Sequence, residues 1–165
     1  MNDKFKIILT HPGDISDFSS ISNVHDIFHF PTIKIKRNVI EISDIDSYDF
    51  LLFSSKYGAT IFTQSKGINF SNINALCMGG KAKGILMNKG VNISFCSNSY
   101  KENIIKDIKL LKLIRGKKIL YLTGNLSDSS IEKSLQNICE IKRLDIYETL
   151  EITNKYDQFE DLLVS

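Results

Sequence analysis

Strong charge of either sign is the first thing this sequence lacks. Its 21 basic and 19 acidic residues leave a net charge of +2, too little to suggest a nucleic-acid or polybasic membrane partner. Long apolar runs are also missing: stretches such as 7–9 and 50–53 are far too short to span a bilayer. Met1-Asn2-Asp3-Lys4-Phe5-Lys6 has no apolar stretch of the secretory kind, which points to the cytoplasm. The three cysteines, Cys77, Cys96 and Cys139, form no Cys-x-x-Cys pair and read as buried reduced thiols. Of the histidines His11, His25 and His29, the last two stand four apart and could share a helix face. No third ligand has metal-site spacing, so no metal is expected. Proline is scarce, at two residues, and carries no functional reading.

What is present is ordinary for a soluble globular protein: 42% hydrophobic and 24% charged residues over 165 positions, enough for one domain or one and part of another. Residues 6–10 read as a strand ending in the turn Thr10-His11-Pro12-Gly13. A short helix capped by Asp14 or Ser16 runs to about 24, and 30–36 alternates as a half-buried or edge strand. Residues 37–47 cross from one lobe to another, with 39–42 able to add a strand. From Tyr48 the rhythm is regular. Strands fall at 50–53, 74–78, 91–95, 117–122 and 139–147. Helices lie at 54–62, from 81 to a C-cap at Gly90, at 102–113 with Ile104, Ile105, Ile108 and Leu111 at helical spacing, and at 131–138. Residues 156–164 suggest a last amphipathic turn or two. Alternating strands and helices predict parallel βαβ units. The fold class is therefore α/β. Residues 38–150 form a complete doubly wound, flavodoxin-like lobe with five parallel strands, 1–37 a partial first lobe, and 151–165 a return linker.

Familiar motifs fail one by one. Gly79-Gly80-Lys81-Ala82-Lys83-Gly84 is followed by Ile85, not the Lys-Ser/Thr of a phosphate loop, and Lys81 breaks the dinucleotide fingerprint. Two readings remain open there: a plain strand-to-helix turn, or a turn whose N–H groups face an anion. Ser54-Ser55-Lys56 lacks a nucleophile elbow; the serines serve as helix caps, as paired donors to a carboxylate, or as both. The strand exits carry Ser54, Gly79, Ser97 and Thr123, not the acidic cluster of a phosphoacceptor domain. Tyr147, at the end of the last strand, is either packed or placed to donate a proton to a leaving hydroxyl.

The ordered set of these blocks resembles uroporphyrinogen-III synthase. Thr10-His11-Pro12, Phe53-Ser54-Ser55, Met78-Gly79-Gly80-Lys81-Ala82-Lys83, Gly90-Val91, Lys101-Glu102, Gly116-Lys117-Lys118-Ile119, Thr123-Gly124-Asn125 and Ile146-Tyr147-Glu148-Thr149 follow that family's order. The family has Arg where His11 stands, Thr where Ala82 stands, and Arg where Thr123 stands. The resemblance implies two α/β lobes joined by a two-stranded linker. It also implies closure of hydroxymethylbilane, with loss of water and inversion of ring D, in haem biosynthesis. That chemistry uses no metal or organic cofactor, and a monomer is expected of a full-length member. Thr10, Ser54, Ser55, Lys56, Gly79, Gly80, Lys81, Thr123, Gly124 and Asn125 would hold the substrate's carboxylates, and Tyr147 would assist departure of the hydroxyl. The family's pattern further implies a C-terminal remainder of the first lobe, on the order of 80–100 residues for a domain of ordinary size. Without that remainder, weak activity and exposed apolar surface around Ile7, Ile8, Phe30 and Ile33 are expected. Two alternatives stand beside the enzyme: a degenerate relative that binds a tetrapyrrole or another anion, and a flavodoxin-like interaction module.

Overall fold

The computed structural model describes residues 4–39, 44–97, 106–153 and 159–160. Near the N-terminus, β1 (Lys6–Leu9) and β2 (Asp26–His29) pair in parallel. They are joined through a 3-10 turn at Ser16–Phe18 and the one-turn helix α1 (Ser19–Ser22). β2 corrects the sequence expectation. His25 precedes it and His29 ends it, so the two share no helix face. The polar Asp26 and His29 at the ends of a four-residue strand leave no alternation to read. The expected strand at 30–36 is instead β3 (Ile33–Arg37). Phe30 is buried, not exposed, with its ring 5.1 Å from that of Phe159, while Ile7, Ile8 and Ile33 are half-buried.

Six strands make the main sheet: β3, then β8 (Glu140–Glu151), β7 (Lys118–Gly124), β4 (Phe50–Phe53), β5 (Asn74–Met78) and β6 (Asn92–Ser97). From β8 to β6 all neighbours are parallel. Asn38 N–H donates to Ile146 O and Ile152 N–H to Thr32 O, so β3 runs antiparallel to β8. The chain divides into two compact units, Met1–Lys36 with Thr149–Ser165, and Arg37–Glu148; β3 and β8 both cross the division. The α/β class and largely parallel sheet hold. The five parallel strands expected in residues 38–150 are present as β4 to β8 and β3 adds a sixth strand, but the flavodoxin-like order does not hold, because the first parallel strand, β4, lies centrally between β5 and β7. A flavodoxin order would run 2-1-3-4-5, whereas the parallel strands here run 3-2-1-4-5. Periodicity marks where strands are, but not on which side of the previous strand a crossover lands.

Helices cover both faces. On one, Phe50, Leu52, Leu76, Ile119 and Tyr121 pack against Leu110 and Ile114 of α4 (Ile108–Ile114) and Ile131 and Leu135 of α5 (Ser130–Leu135). On the other, Phe53 meets Phe62 of α2 (Lys56–Thr63) at 5.2 Å between ring centroids, beside α3 (Gly80–Met87). Each fully buried Leu, Ile or Phe contributes about 1.5–3 kcal/mol. The apolar face of α4 differs from the one expected. Asp107 caps the helix, accepting from Lys109 N–H and Leu110 N–H, so its phase restarts there. Leu110 and Ile114 point inward and Ile108 is 68% exposed. Residues 40–42, 98–99 and 102–105, and nearly all of 156–164, lie outside the described residues, and with them the extra strand, the capping loop, the expected helix start and the last amphipathic turn.

Asp49 sets the entry of β4. Its N–H donates to Lys118 O, its Oδ2 accepts from Lys118 N–H at 2.8 Å, and its Oδ1 accepts from Lys117 Nζ at 3.1 Å. The Lys118 backbone bond, then the Lys117 bond, hold this carboxyl below its ordinary value. A carboxyl depressed in the folded state adds stability above its unfolded pKa, about 3.9, and that contribution is lost as pH falls through the folded value. Asp49→Asn is expected to lower stability by about 0.5–1 kcal/mol at pH 7, the side chain being screened by solvent. The difference should close at acid pH, once the carboxyl is protonated in the folded state as well. Urea melts at the two pH values check this; a pH-independent difference refutes it.

Candidate active site

A doubly wound sheet binds ligands beyond the carboxyl ends of its strands, where the crossovers part in opposite directions. Here that point lies between β4 and β7. β4 leads through α2 to β5, while β7 follows β6 on the far side of β4. The two strands are in register to Phe53–Leu122, which sets Ser54 beside Thr123.

Two hydroxyl clusters gather at this point, one toward each face of the sheet. On the α4/α5 face, Ser54 Oγ lies 3.4 Å from Thr123 Oγ1 and accepts from the Tyr121 hydroxyl at 2.8 Å. Tyr121 also meets Ser127 Oγ at 3.1 Å. On the α2 face, Ser55 Oγ lies 3.0 Å from the Tyr147 hydroxyl and accepts from Gly58 N–H at 3.0 Å. Ser55, not Ser54, is thus the N-cap of α2.

Tyr147 reaches the α2 face through a slip in strand register. Thr123 pairs with Asp145, but Gly124 pairs with Tyr147, leaving Ile146 as an extra residue on β8. A one-residue insertion sends the next side chain to the opposite face. Tyr147 does not end its strand as expected; β8 runs on to Glu151. It stands where β7 ends, 8% exposed, and its ring lies against Gly124. A Cβ on Gly124 would sit 2.5 Å from Tyr147 Cζ and 2.8 Å from Cδ2, so only glycine fits beneath the ring. The Tyr57 ring stands edge-on to that of Tyr147 at 6.3 Å, with Lys56 Nζ 5.2 Å from the Tyr57 centroid. Burial first, then Tyr147, pushes the Tyr57 phenol up, while Lys81 opposes the rise.

Of the residues singled out from sequence, Ser54, Ser55, Thr123, Gly124 and Tyr147 come together, and Lys56 and Lys81 flank Tyr57 beside them. Thr123 and Gly124 are the last residues of β7, not its exit turn. Gly79 and Gly80 stand one strand further out, at the exit of β5. The Gly79 N–H is not an anion donor: it is spent on Ser97 O at 2.7 Å. Gly79 has φ +95°, which suits the plain-turn reading. Asn125 N–H donates to Tyr147 O and holds the loop after β7. Thr10 belongs to the N-terminal unit, where its carbonyl accepts from Thr32 N–H.

Sequence reading missed Tyr57, Tyr121, Ser127 and Arg143. Arg143 donates to Gly124 O at 2.9 Å and Ser127 O at 2.7 Å, and pairs with Asp145 and Glu132, so it braces the loop after β7. Tyr121 sits inside an apolar run and reads as core; only a seven-residue strand rich in buried positions that spends one of them on a phenol hints otherwise. The cysteines are all free thiols, with Cys77 and Cys139 buried and Cys96 half-buried. Burial, then Cys96, pushes the Cys77 thiol up to about 12, with Lys83 opposing, which makes it unreactive. Among the described residues, no group of His, Cys, Asp and Glu could hold a metal ion, and no helix is long and apolar enough to cross a membrane.

The sequence matches a family model described as uroporphyrinogen-III synthase HemD over residues 22–165. Among solved structures it is similar to uroporphyrinogen-III synthetase from Helicobacter pylori 26695. That match has 16% identity and TM-score 0.68, covering 97% of this chain and 68% of that one. It is also similar to a mutant uroporphyrinogen III synthase from the extremely thermophilic bacterium Thermus thermophilus, with 13% identity and TM-score 0.62, covering 96% of this chain and 68% of that one. At these identities the structural likeness is one of fold. No curated protein matches in sequence.

Proposed function

The chain belongs to the uroporphyrinogen-III synthase family, lyases of haem biosynthesis, and from that premise we propose that the hydroxyls at the β4/β7 switch point act on hydroxymethylbilane. The observation that carries the reading is the convergence of Ser54, Ser55, Thr123 and Tyr147 at the carboxyl ends of adjacent strands. The substrate carries eight carboxylates and a hydroxymethyl group. Hydroxyl donors such as Ser54 and Thr123, with the ammonium groups of Lys56 and Lys81, suit carboxylates. Tyr147 suits the reacting end. As the C–O bond of the hydroxymethyl group breaks, the electron pair leaves with oxygen, the phenol supplies its proton, and water departs. The substituted α-carbon of ring D attacks the resulting azafulvene to give a spiro intermediate; its older bond to the ring C methylene breaks, and the free α-carbon of ring D takes that methylene, which leaves the ring inverted. The proton released when the macrocycle becomes aromatic in its pyrroles returns to the phenolate. Ser55, 3.0 Å from the Tyr147 hydroxyl, holds that hydroxyl in place throughout. Holding the flexible bilane near its closing geometry is the larger part of the task, since positioning can supply about 7–11 kcal/mol of a barrier.

The test is isomer analysis. Unassisted closure of hydroxymethylbilane gives the type I macrocycle. The protein is expected to divert the product to type III, read as the oxidised porphyrins by chromatography. Type I alone, formed at the rate of buffer, refutes the catalytic reading.

A further inference from the structure

The buried hydroxyl network on the α4/α5 face has a direction. A hydroxyl carries one proton. Tyr121 gives its proton to Ser54 Oγ at 2.8 Å, so its contact with Ser127 Oγ at 3.1 Å has Ser127 as the donor. Ser54 accepts from Tyr121 and keeps its own proton for another acceptor. Thr123 Oγ1, at 3.4 Å, is too distant to hold that proton firmly whichever hydroxyl donates, because O–H···O bonds cluster near about 2.7–2.8 Å. Ser54 is half-buried, so a ligand can reach it.

Packing alone does not call for this phenol. Tyr121 is fully buried in an apolar cluster with Leu52, Leu110, Ile114 and Ile119, where a phenylalanine ring would fill the same space and need no polar partner. We propose that Tyr121 is a positioning residue: by donating to Ser54 it orders the chain Ser127–Tyr121–Ser54, so that Ser54 presents its hydrogen to an incoming substrate carboxylate. The proposal rests on the reading of this site as one for hydroxymethylbilane. It assigns the holding of one carboxylate to a residue that never touches the substrate.

The experiment compares Tyr121→Phe, Ser54→Ala and the double variant with wild type. Three quantities are read: KM and kcat for type III formation, Kd for uroporphyrin III by fluorescence, and Tm. Tyr121→Phe is expected to raise KM and Kd about 10- to 100-fold, the worth of one charge-assisted hydrogen bond, with kcat within about twofold. Ser54→Ala should do the same. Adding Tyr121→Phe to Ser54→Ala should cost nothing further, because residues acting through one group do not add. Additive effects overturn the proposal and leave the function standing, as does a Tyr121→Phe variant that loses only Tm or kcat. Wild-type protein that neither forms type III nor binds uroporphyrin III overturns the reading of function, and the proposal with it.

Discussion

Tyr147→Phe is expected to slow type III formation by about 10²-fold or more, the usual contribution of a placed general acid. Folding should change little. The ring stays against Gly124, and the one bond lost, to Ser55 Oγ at 3.0 Å, is worth about 1 kcal/mol. Ser55 keeps its cap bond to Gly58 N–H, so α2 is not undone. Tyr57 cannot take over. Its ring stands 6.3 Å from that of Tyr147, and burial raises its phenol, so it parts with a proton less readily than an ordinary tyrosine. Tyr57→Phe should therefore cost far less than Tyr147→Phe. The check is the initial rate of type III formation in both variants, with Tm alongside. An unchanged rate in Tyr147→Phe would return Tyr147 to simple packing.

What the sequence makes legible follows from burial. β4 and β5 are readable to the residue because strands covered on both faces are apolar without interruption, as at Phe50–Phe53. The exits after such strands are readable too, which is why Ser54 and Ser55 stand out, whereas Tyr147 stands out only as the end of a strand that in fact runs on to Glu151. Three things are not. β2 is a short strand in a two-stranded pair, so its Asp26 and His29 face solvent and hide the pattern. The order of the sheet depends on the side to which each crossover turns. Side-chain reach is the third: Tyr121 and Arg143 join the site across strands, through the registers Leu52–Tyr121 and Tyr121–Arg143, and no spacing along the chain records such a meeting. The slip that turns Tyr147 toward α2 belongs with them, because one extra residue in a twelve-residue strand leaves no mark in its composition.

Gly124→Ala should be the most damaging small substitution in the Arg37–Glu148 unit. Its backbone is not among the left-handed glycines, so alanine brings no conformational strain of its own, and the whole effect is steric. The added methyl would stand 2.5 Å from Tyr147 Cζ and 2.8 Å from Cδ2, against rigid ring atoms rather than the end of a flexible chain. Either the ring leaves or the strands part. Both outcomes break the Ser55–Tyr147 bond, and parting of the strands also breaks the bond from Asn125 N–H to Tyr147 O. Overpacking of this kind costs about 1–3 kcal/mol. Type III formation should fall at least as far as in Tyr147→Phe, since the phenol is displaced and not merely shortened. A double-mutant cycle isolates the cause. With Tyr147→Ala as background the ring is gone, and Gly124→Ala should then cost less than about 0.5 kcal/mol, the level expected of sites that no longer interact. Denaturant melts of the four proteins give the coupling directly. An equal loss in both backgrounds would mean that Gly124 serves the β7 backbone and not the seat of Tyr147, and the account of how this phenol is held would fail.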